Sequence, residues 1–96
     1  MYDSARNIFG IYIIETDIKS GSISDWMDYS FFTTKEAARH HLEVEAAREL
    51  SYGNRVDEYA NAIKVHKLDS YSHTTKTIEY RIANFGLFGK FSNERR

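Results

Sequence analysis

The sequence predicts an α+β fold, a four-stranded and mainly antiparallel sheet with one main helix on one face, in the order ββαββ. Three observations support this prediction. Stretches of strand length, rich in Ile, Tyr and Phe, lie on both sides of a single helical segment. A capping signal opens that segment and a glycine closes it. The chain of 96 residues contains no proline, so no ring interrupts any of these elements.

The first two strands are expected to form an antiparallel hairpin. Residues 8–16 are mostly β-branched or aromatic on both faces, which is typical of a strand in the middle of a sheet. Residues 17–22 have the polar, glycine-containing composition of a turn. Residues 24–32 supply a second strand through Trp26, Met27, Tyr29, Phe31 and Phe32.

The helix is predicted over residues 34–51. Thr33 and Glu36 have the spacing of a capping box, with Thr33 as N-cap and Glu36 as N3. Gly53 is placed to end the helix as its C′ residue. The apolar positions that follow i, i+4 spacing predict the buried stripe, which comprises Ala38, Leu42, Ala46 and Leu50.

The remainder of the chain predicts two further strands, residues 62–68 and 77–85, and leaves residues 54–61 open between a short turn of helix and a loop. Residues 1–96 are expected to form a single domain with 86–96 as a C-terminal tail.

Composition narrows the function classes. Lys and Arg total 13 against 14 Asp and Glu, a balance that argues against whole-chain electrostatic binding to nucleic acid or membrane. Without cysteine, the sequence excludes disulfides, thiol nucleophiles and Cys-based metal sites. No signal peptide is visible, and the longest uncharged apolar stretch, 8–14, is far shorter than the roughly 20 residues of a membrane span. We expect a cytoplasmic protein.

Several short motifs resemble small accessory proteins of bacteriophage and bacterial genomes. They are the strand 12–15 ending in Glu, the Ser-Asp-Trp turn at 24–26, the helix opening at 32–38 and the Ile-x-Val-x-x-Leu-Asp strand at 63–69. The resemblance covers about the first two-thirds of the chain and brings no catalytic residues. It implies a phage-encoded modulator or inhibitor that binds a host protein.

Motifs for chemistry are weak. His41 and Glu45 are i, i+4 neighbours that could share a metal ion, but no third ligand follows by spacing. His66 and His73 lie near serines without a nucleophile elbow. The glycines at 86 and 89 are too close together for a phosphate-binding loop. We expect no catalytic site, no metal and no cofactor.

The favoured interpretation is a non-enzymatic protein-binding module. One alanine-lined helix covers one face of a sheet, and this chain carries more aromatic residues, 15%, than that core hides. The candidates for the open face are Trp26, Tyr29, Phe31, Phe32, Phe85, Phe88 and Phe91. The partner, a host protein or a second copy in a homodimer, is predicted to contact Trp26, Tyr29, Phe88, Lys90 and Phe91.

The alternative is a small RNA- or DNA-binding module. The C-terminal third mixes aromatic rings that could stack on bases with basic side chains that could neutralise phosphates. The residues predicted for this role are Lys76, Tyr80, Arg81, Lys90, Arg95 and Arg96.

Overall fold

The computed structural model of the protein describes residues 7–87, apart from the side chains at positions 29, 86 and 87. The fold is α+β, as predicted, with one helix and one sheet in this range. Its elements follow the order ββαβββ: β1 Asn7–Asp17, β2 Ile23–Phe32, α1 Lys35–Ser51, β3 Arg55–Tyr59, β4 Ala62–Leu68 and β5 Thr74–Leu87.

The sheet has five strands rather than the four predicted, in the spatial order β2-β1-β5-β4-β3. All neighbouring strands pair antiparallel, and the first two form the expected hairpin. The apolar composition of β1 correctly predicted an internal strand, because β1 lies between β2 and β5. The last strand extends to Leu87, so Gly86 and Leu87 of the predicted tail belong to β5.

The additional strand is β3, in the segment that the sequence left open between helix and loop. It pairs with β4 from Arg55 to Tyr59, and Ala60 and Asn61 form the two-residue connection. Its charged side chains, which include Asp57 and Glu58, hide the alternation that marks a strand. At the edge of a sheet such charges are favourable, because they discourage pairing with another chain.

The helix begins one residue later than predicted. Thr34, not Thr33, is the N-cap, and its Oγ1 accepts a hydrogen bond from the Ala37 amide at 3.1 Å. Ala37 is therefore N3, and Glu36 lies too early to complete a capping box. The helix ends as expected, because Gly53 adopts the positive φ of +89° that favours glycine after a C-cap.

The core lies between α1 and one face of the sheet. The helix contributes Ala38, Leu42 and Ala46, and the opposing strands contribute the apolar residues Phe9, Ile11, Ile13, Ile63 and Val65. Leu50, predicted to extend the buried stripe, is 52% exposed. The helix instead buries Glu45 and Glu49 at its C-terminal half.

Candidate functional surface

The sheet presents a second face that α1 does not cover, here called the helix-free face. Residues directly opposite each other in paired strands share a face, and successive residues alternate. Ile11 and Ile13 point towards the helix, so Gly10, Tyr12 and Ile14 point away from it. The register then assigns to the helix-free face their partners on the neighbouring strands, which include Met27, Phe31, Ala83, Arg81 and Glu79.

An aromatic cluster lies on this face where β2, β1 and β5 meet. We define it as Met27, Phe31 and Phe85, which surround Gly10. The rings of Phe31 and Phe85 are tilted against each other with centroids 6.0 Å apart. A Cβ atom on Gly10 would lie 2.8 Å from Phe85 Cε2 and 3.2 Å from Met27 Cε. The cluster can therefore pack directly on the β1 backbone because residue 10 has no side chain.

The cluster is only partly shielded from solvent. Phe31 remains 55% exposed although it contacts Phe85. Ile23, at the start of the same strand, is 66% exposed. A phenylalanine in a defined aromatic contact and open to water is the kind of side chain that protein interfaces bury.

The other half of the helix-free face, over β3, β4 and β5, is charged. Arg81 donates to Glu79 Oε2 from Nε at 3.1 Å and from Nη2 at 2.6 Å. His66 lies between two charged neighbours, with Nε2 2.8 Å from Asp57 Oδ2 and Nδ1 3.2 Å from Arg55 Nη2. An arginine can only donate, so Nδ1 must accept and Nε2 must carry the proton. The charged groups of Arg81 and His66 in this half of the face are therefore paired with neighbouring charges.

Of the residues predicted to contact a partner, Trp26 has a described side chain, and it lies on the opposite face from the cluster. It pairs with the buried Ile13, so it projects to the side that α1 occupies, where it is still 42% exposed. Phe32 also lies on that side, and its ring is tilted against that of His41 with the centroids 5.4 Å apart. Their expected place on the open face is thus wrong, whereas Phe31 and Phe85 do lie there. The side chain of Tyr29 and residues Phe88, Lys90 and Phe91 are outside the described part.

The residues predicted for nucleic-acid binding do not converge in the described range. Lys76 and Tyr80 lie on the helix side, and Arg81 lies on the helix-free face. Lys76 Nζ is 2.7 Å from Glu15 Oε2, and Tyr80 donates to Glu45 at 3.3 Å. Each of these groups already has an acidic partner within the domain. The remaining three, Lys90, Arg95 and Arg96, lie outside the described residues.

A polar clamp holds the C-terminal half of α1 to the sheet, and the sequence did not indicate it. We define it as Glu45, Glu49 and their partners. Glu49 Oε1 accepts from Lys67 Nζ and from Asn54 Nδ2, both at 2.9 Å. Asn54 in turn accepts from the Leu68 amide at 3.0 Å. Glu45 accepts from Arg48 and from the Tyr80 hydroxyl.

The clamp shifts the acid–base properties of its members. Burial alone would raise the pKa of Glu49, but the hydrogen bonds from Lys67 and Asn54 outweigh it and lower that pKa below its ordinary value. Burial, together with the charges of Glu45 and Glu49, raises the pKa of the Tyr80 hydroxyl. The tyrosine therefore stays neutral and can donate to Glu45 throughout the physiological range.

The histidines form no shared centre. His41 is 3.7 Å from Asp28 of β2, and the carboxylate of Glu45 faces Arg48 and Tyr80 instead. His73 lies in the turn before β5, where its Nδ1 is 3.7 Å from Asp69 Oδ2, whereas His66 lies on β4. Among residues 7–87, no group of three or more His, Asp or Glu side chains is arranged to hold a metal ion.

Comparison of the chain with models of protein families, with curated proteins and with solved structures finds no match. Over the part that the structure describes, α1 is neither long nor apolar enough to cross a membrane.

Proposed function

We propose that the protein is a non-enzymatic binding module that buries the aromatic cluster of its helix-free face against a protein partner. The observation that carries the proposal is the pairing of Phe31 with Phe85 over Gly10, with Phe31 more than half exposed. The predicted contacts of Phe88, Lys90 and Phe91 stay part of the proposal, since the chain reaches them directly after β5.

The physical case rests on preorganisation. Phe31 is fixed by a ring contact and by a β-strand, so it loses little conformational entropy when a partner covers it. Aromatic side chains that are rigid before binding are typical centres of protein interfaces. In the charged half of the same face Arg81 is paired with Glu79 and His66 with Asp57, so these groups can form a polar rim without leaving their charges unsatisfied.

The kind of partner follows from the resemblance to phage accessory proteins, which implies a host protein that the chain modulates or inhibits. A second copy of the chain is the other occupant that we expect, because a net charge of −1 opposes self-association only weakly.

The decisive variant is Phe31→Ala, matched with Tyr71→Ala. Tyr71 is 80% exposed in the turn before β5, so it controls for loss of a surface ring. A partner captured from host lysate, or a dimer seen by light scattering, should survive Tyr71→Ala. Phe31→Ala should weaken the same complex by about 30-fold, the loss of an interface residue worth roughly 2 kcal/mol. Equal binding by both variants would contradict the proposal.

Salt dependence separates this proposal from the nucleic-acid alternative. Burial of aromatic rings depends weakly on ionic strength, whereas phosphate binding falls steeply because condensed counterions are released. A salt-sensitive complex with single-stranded RNA or DNA that is insensitive to Phe31→Ala, and that is found where neither a protein partner nor a dimer forms, would favour the alternative.

A further inference from the structure

A shallow depression lies in the charged half of the helix-free face, at the β3–β4 hairpin. The residues that line it are Tyr59, Ala60, Asn61, Ala62, Lys64, Glu79 and Arg81. It shares no residue with the aromatic cluster.

The strand register explains the shape of the depression. Tyr59 pairs with Ala62, and Ala62 pairs with Arg81, so the three residues form one row across β3, β4 and β5. The middle residue, which is 9% exposed, has only a methyl group and lines the depression together with Tyr59 and Arg81. We call the space between the Tyr59 and Arg81 side chains the slot. Two strand spacings separate Tyr59 from Arg81, about 10 Å between their backbones.

That width suits one planar group. A ring stacked on both sides needs two contacts of about 3.5 Å, or about 7 Å in all, and movement of the exposed Tyr59 side chain can close the remaining gap. Tyr59 is 59% exposed and offers a ring face. Arg81 offers a guanidinium plane whose orientation is fixed, because Nε and Nη2 both donate to Glu79.

An uncommitted cation lies beside the slot. Lys64 follows Ala62 by two residues on β4 and so lies on the same face, about 7 Å along the strand. Its neighbours across the sheet are Asp57 and Glu79, but these carboxylates are engaged by His66 and Arg81. Within residues 7–87 the Lys64 ammonium therefore has no ion pair of its own.

We propose that this depression binds a nucleotide, with the base stacked between Tyr59 and Arg81 over Ala62 and the phosphate at Lys64. The chemistry matches part by part: a planar ring fits the slot, the sugar spans the step along β4, and the phosphate meets the ammonium. Stacking on a tyrosine and an arginine does not select one base, so the site accepts nucleotides of differing sequence. The nucleotide is either free or part of a single strand.

The test titrates the full chain with adenosine monophosphate, adenosine, inorganic phosphate and a single-stranded dodecamer, monitored by amide chemical shifts. We expect the monophosphate to bind more tightly than adenosine or phosphate, because it alone satisfies both parts of the site. A dodecamer that binds more tightly than the monophosphate identifies a strand as the natural ligand, and equal affinity identifies the free nucleotide.

Three variants probe the parts separately. Tyr59→Ala removes one wall, Ala62→Leu fills the slot without changing charge, and Lys64→Ala removes the cation. Each should weaken binding of the monophosphate at least roughly tenfold. The matched controls, Tyr71→Ala and Lys19→Ala, remove an exposed ring and an exposed ammonium elsewhere and should leave binding unchanged.

The proposal fails if the monophosphate does not bind at about 10 mM, a concentration at which even a weak site would be filled. It also fails if Ala62→Leu binds normally while Lys64→Ala does not, since phosphate attraction without a base slot would explain that result. Tyr59→Ala keeps the test valid if Ala62→Leu does not fold, because a side chain so exposed contributes little to stability. Neither failure affects the aromatic cluster, whose test uses Phe31.

Discussion

The two faces of the sheet differ in how far their side chains are buried. On the helix side, Ile11 and Val65 are fully buried and even carboxylates are enclosed, each with hydrogen-bonding partners. Within the described residues no buried polar side-chain atom lacks a partner. On the helix-free side, Phe31 is exposed and the charges pair along the surface. The covered face thus holds the buried core, whereas the uncovered face leaves an aromatic ring exposed to solvent.

This contrast predicts that side-chain deletions cost stability on one face and binding on the other. The largest loss of stability is expected for Leu42→Ala, since Leu42 is 3% exposed between α1 and the sheet. Removing a buried leucine costs about 3 kcal/mol, because the lost apolar contact adds to the cavity left behind. Urea unfolding, followed by circular dichroism at 222 nm, measures this change.

The matched control for this variant is Val44→Ala, on the exposed side of the same helix and 53% exposed. It should change the free energy of unfolding by no more than about 0.5 kcal/mol. Phe31→Ala should likewise cost less than Leu42→Ala, despite deleting a larger side chain. Similar losses for Leu42 and Val44 would mean that the helix is not docked through this stripe.

The helix also shows how far the sequence could predict the covered face. Steps of four residues each overshoot a turn, so Leu50 lies about 120° around the helix from Ala38, whereas Glu49 lies only about 20° away. Helix geometry therefore favoured Glu49 as the next residue of the buried stripe, whereas hydrophobicity favoured Leu50. The sequence could not resolve the conflict, because the partners that make a buried glutamate acceptable, Lys67 and Asn54, come from other elements.

The uncovered face was predictable in kind but not in its residues. The number of aromatic residues correctly indicated that rings would remain outside the core. Aromatic residues occur on both faces of β2, however, because Trp26 and Phe32 are at even positions and Phe31 is at an odd one. Only the pairing with β1 decides between them, and that pairing includes an irregularity between Gly10 and Tyr12.

Strand β3 was missed for a related reason, since an edge strand can carry charge on both faces.

The covered face also encloses the charge of Glu49, and removing that charge should reduce stability. Glu49→Gln keeps the shape of the side chain but removes the ion pair with Lys67, so it should cost about 2 kcal/mol at pH 7, typical of a hydrogen bond to a charged group. The amide oxygen can take the place of Oε1 and accept from Lys67 and Asn54, but it lacks the negative charge that attracts the Lys67 ammonium. Urea unfolding at pH 7 and pH 3 measures the difference between the variant and the native chain.

The pH dependence has a defined sign. The pKa of Glu49 is lowered in the folded protein, so its carboxylate stabilises the fold fully above the unfolded pKa of about 4.3. That contribution is lost as the pH falls through the lower, folded pKa. The advantage of the native chain over Glu49→Gln should therefore shrink between pH 7 and pH 3. An advantage that stays constant down to pH 3 would show that the charge of Glu49 does not explain the clamp.

The smallest expected effect, and the sharpest test of the uncovered face, comes from Gly10→Ala. The added methyl group would lie 2.8 Å from Phe85 Cε2, so the ring must move, at a cost of about 1 kcal/mol. In a Phe85→Ala background the same change should be neutral or slightly stabilising, because alanine restricts the unfolded chain more than glycine does. Thermal unfolding of the four proteins in this double-mutant cycle measures a coupling of about 1 kcal/mol.

An equal cost in both backgrounds would place the strain in the backbone of β1 rather than in the cluster. With the coupling present, Gly10→Ala should also weaken partner binding by more than its effect on stability explains, since the displaced Phe85 no longer holds Phe31 in place.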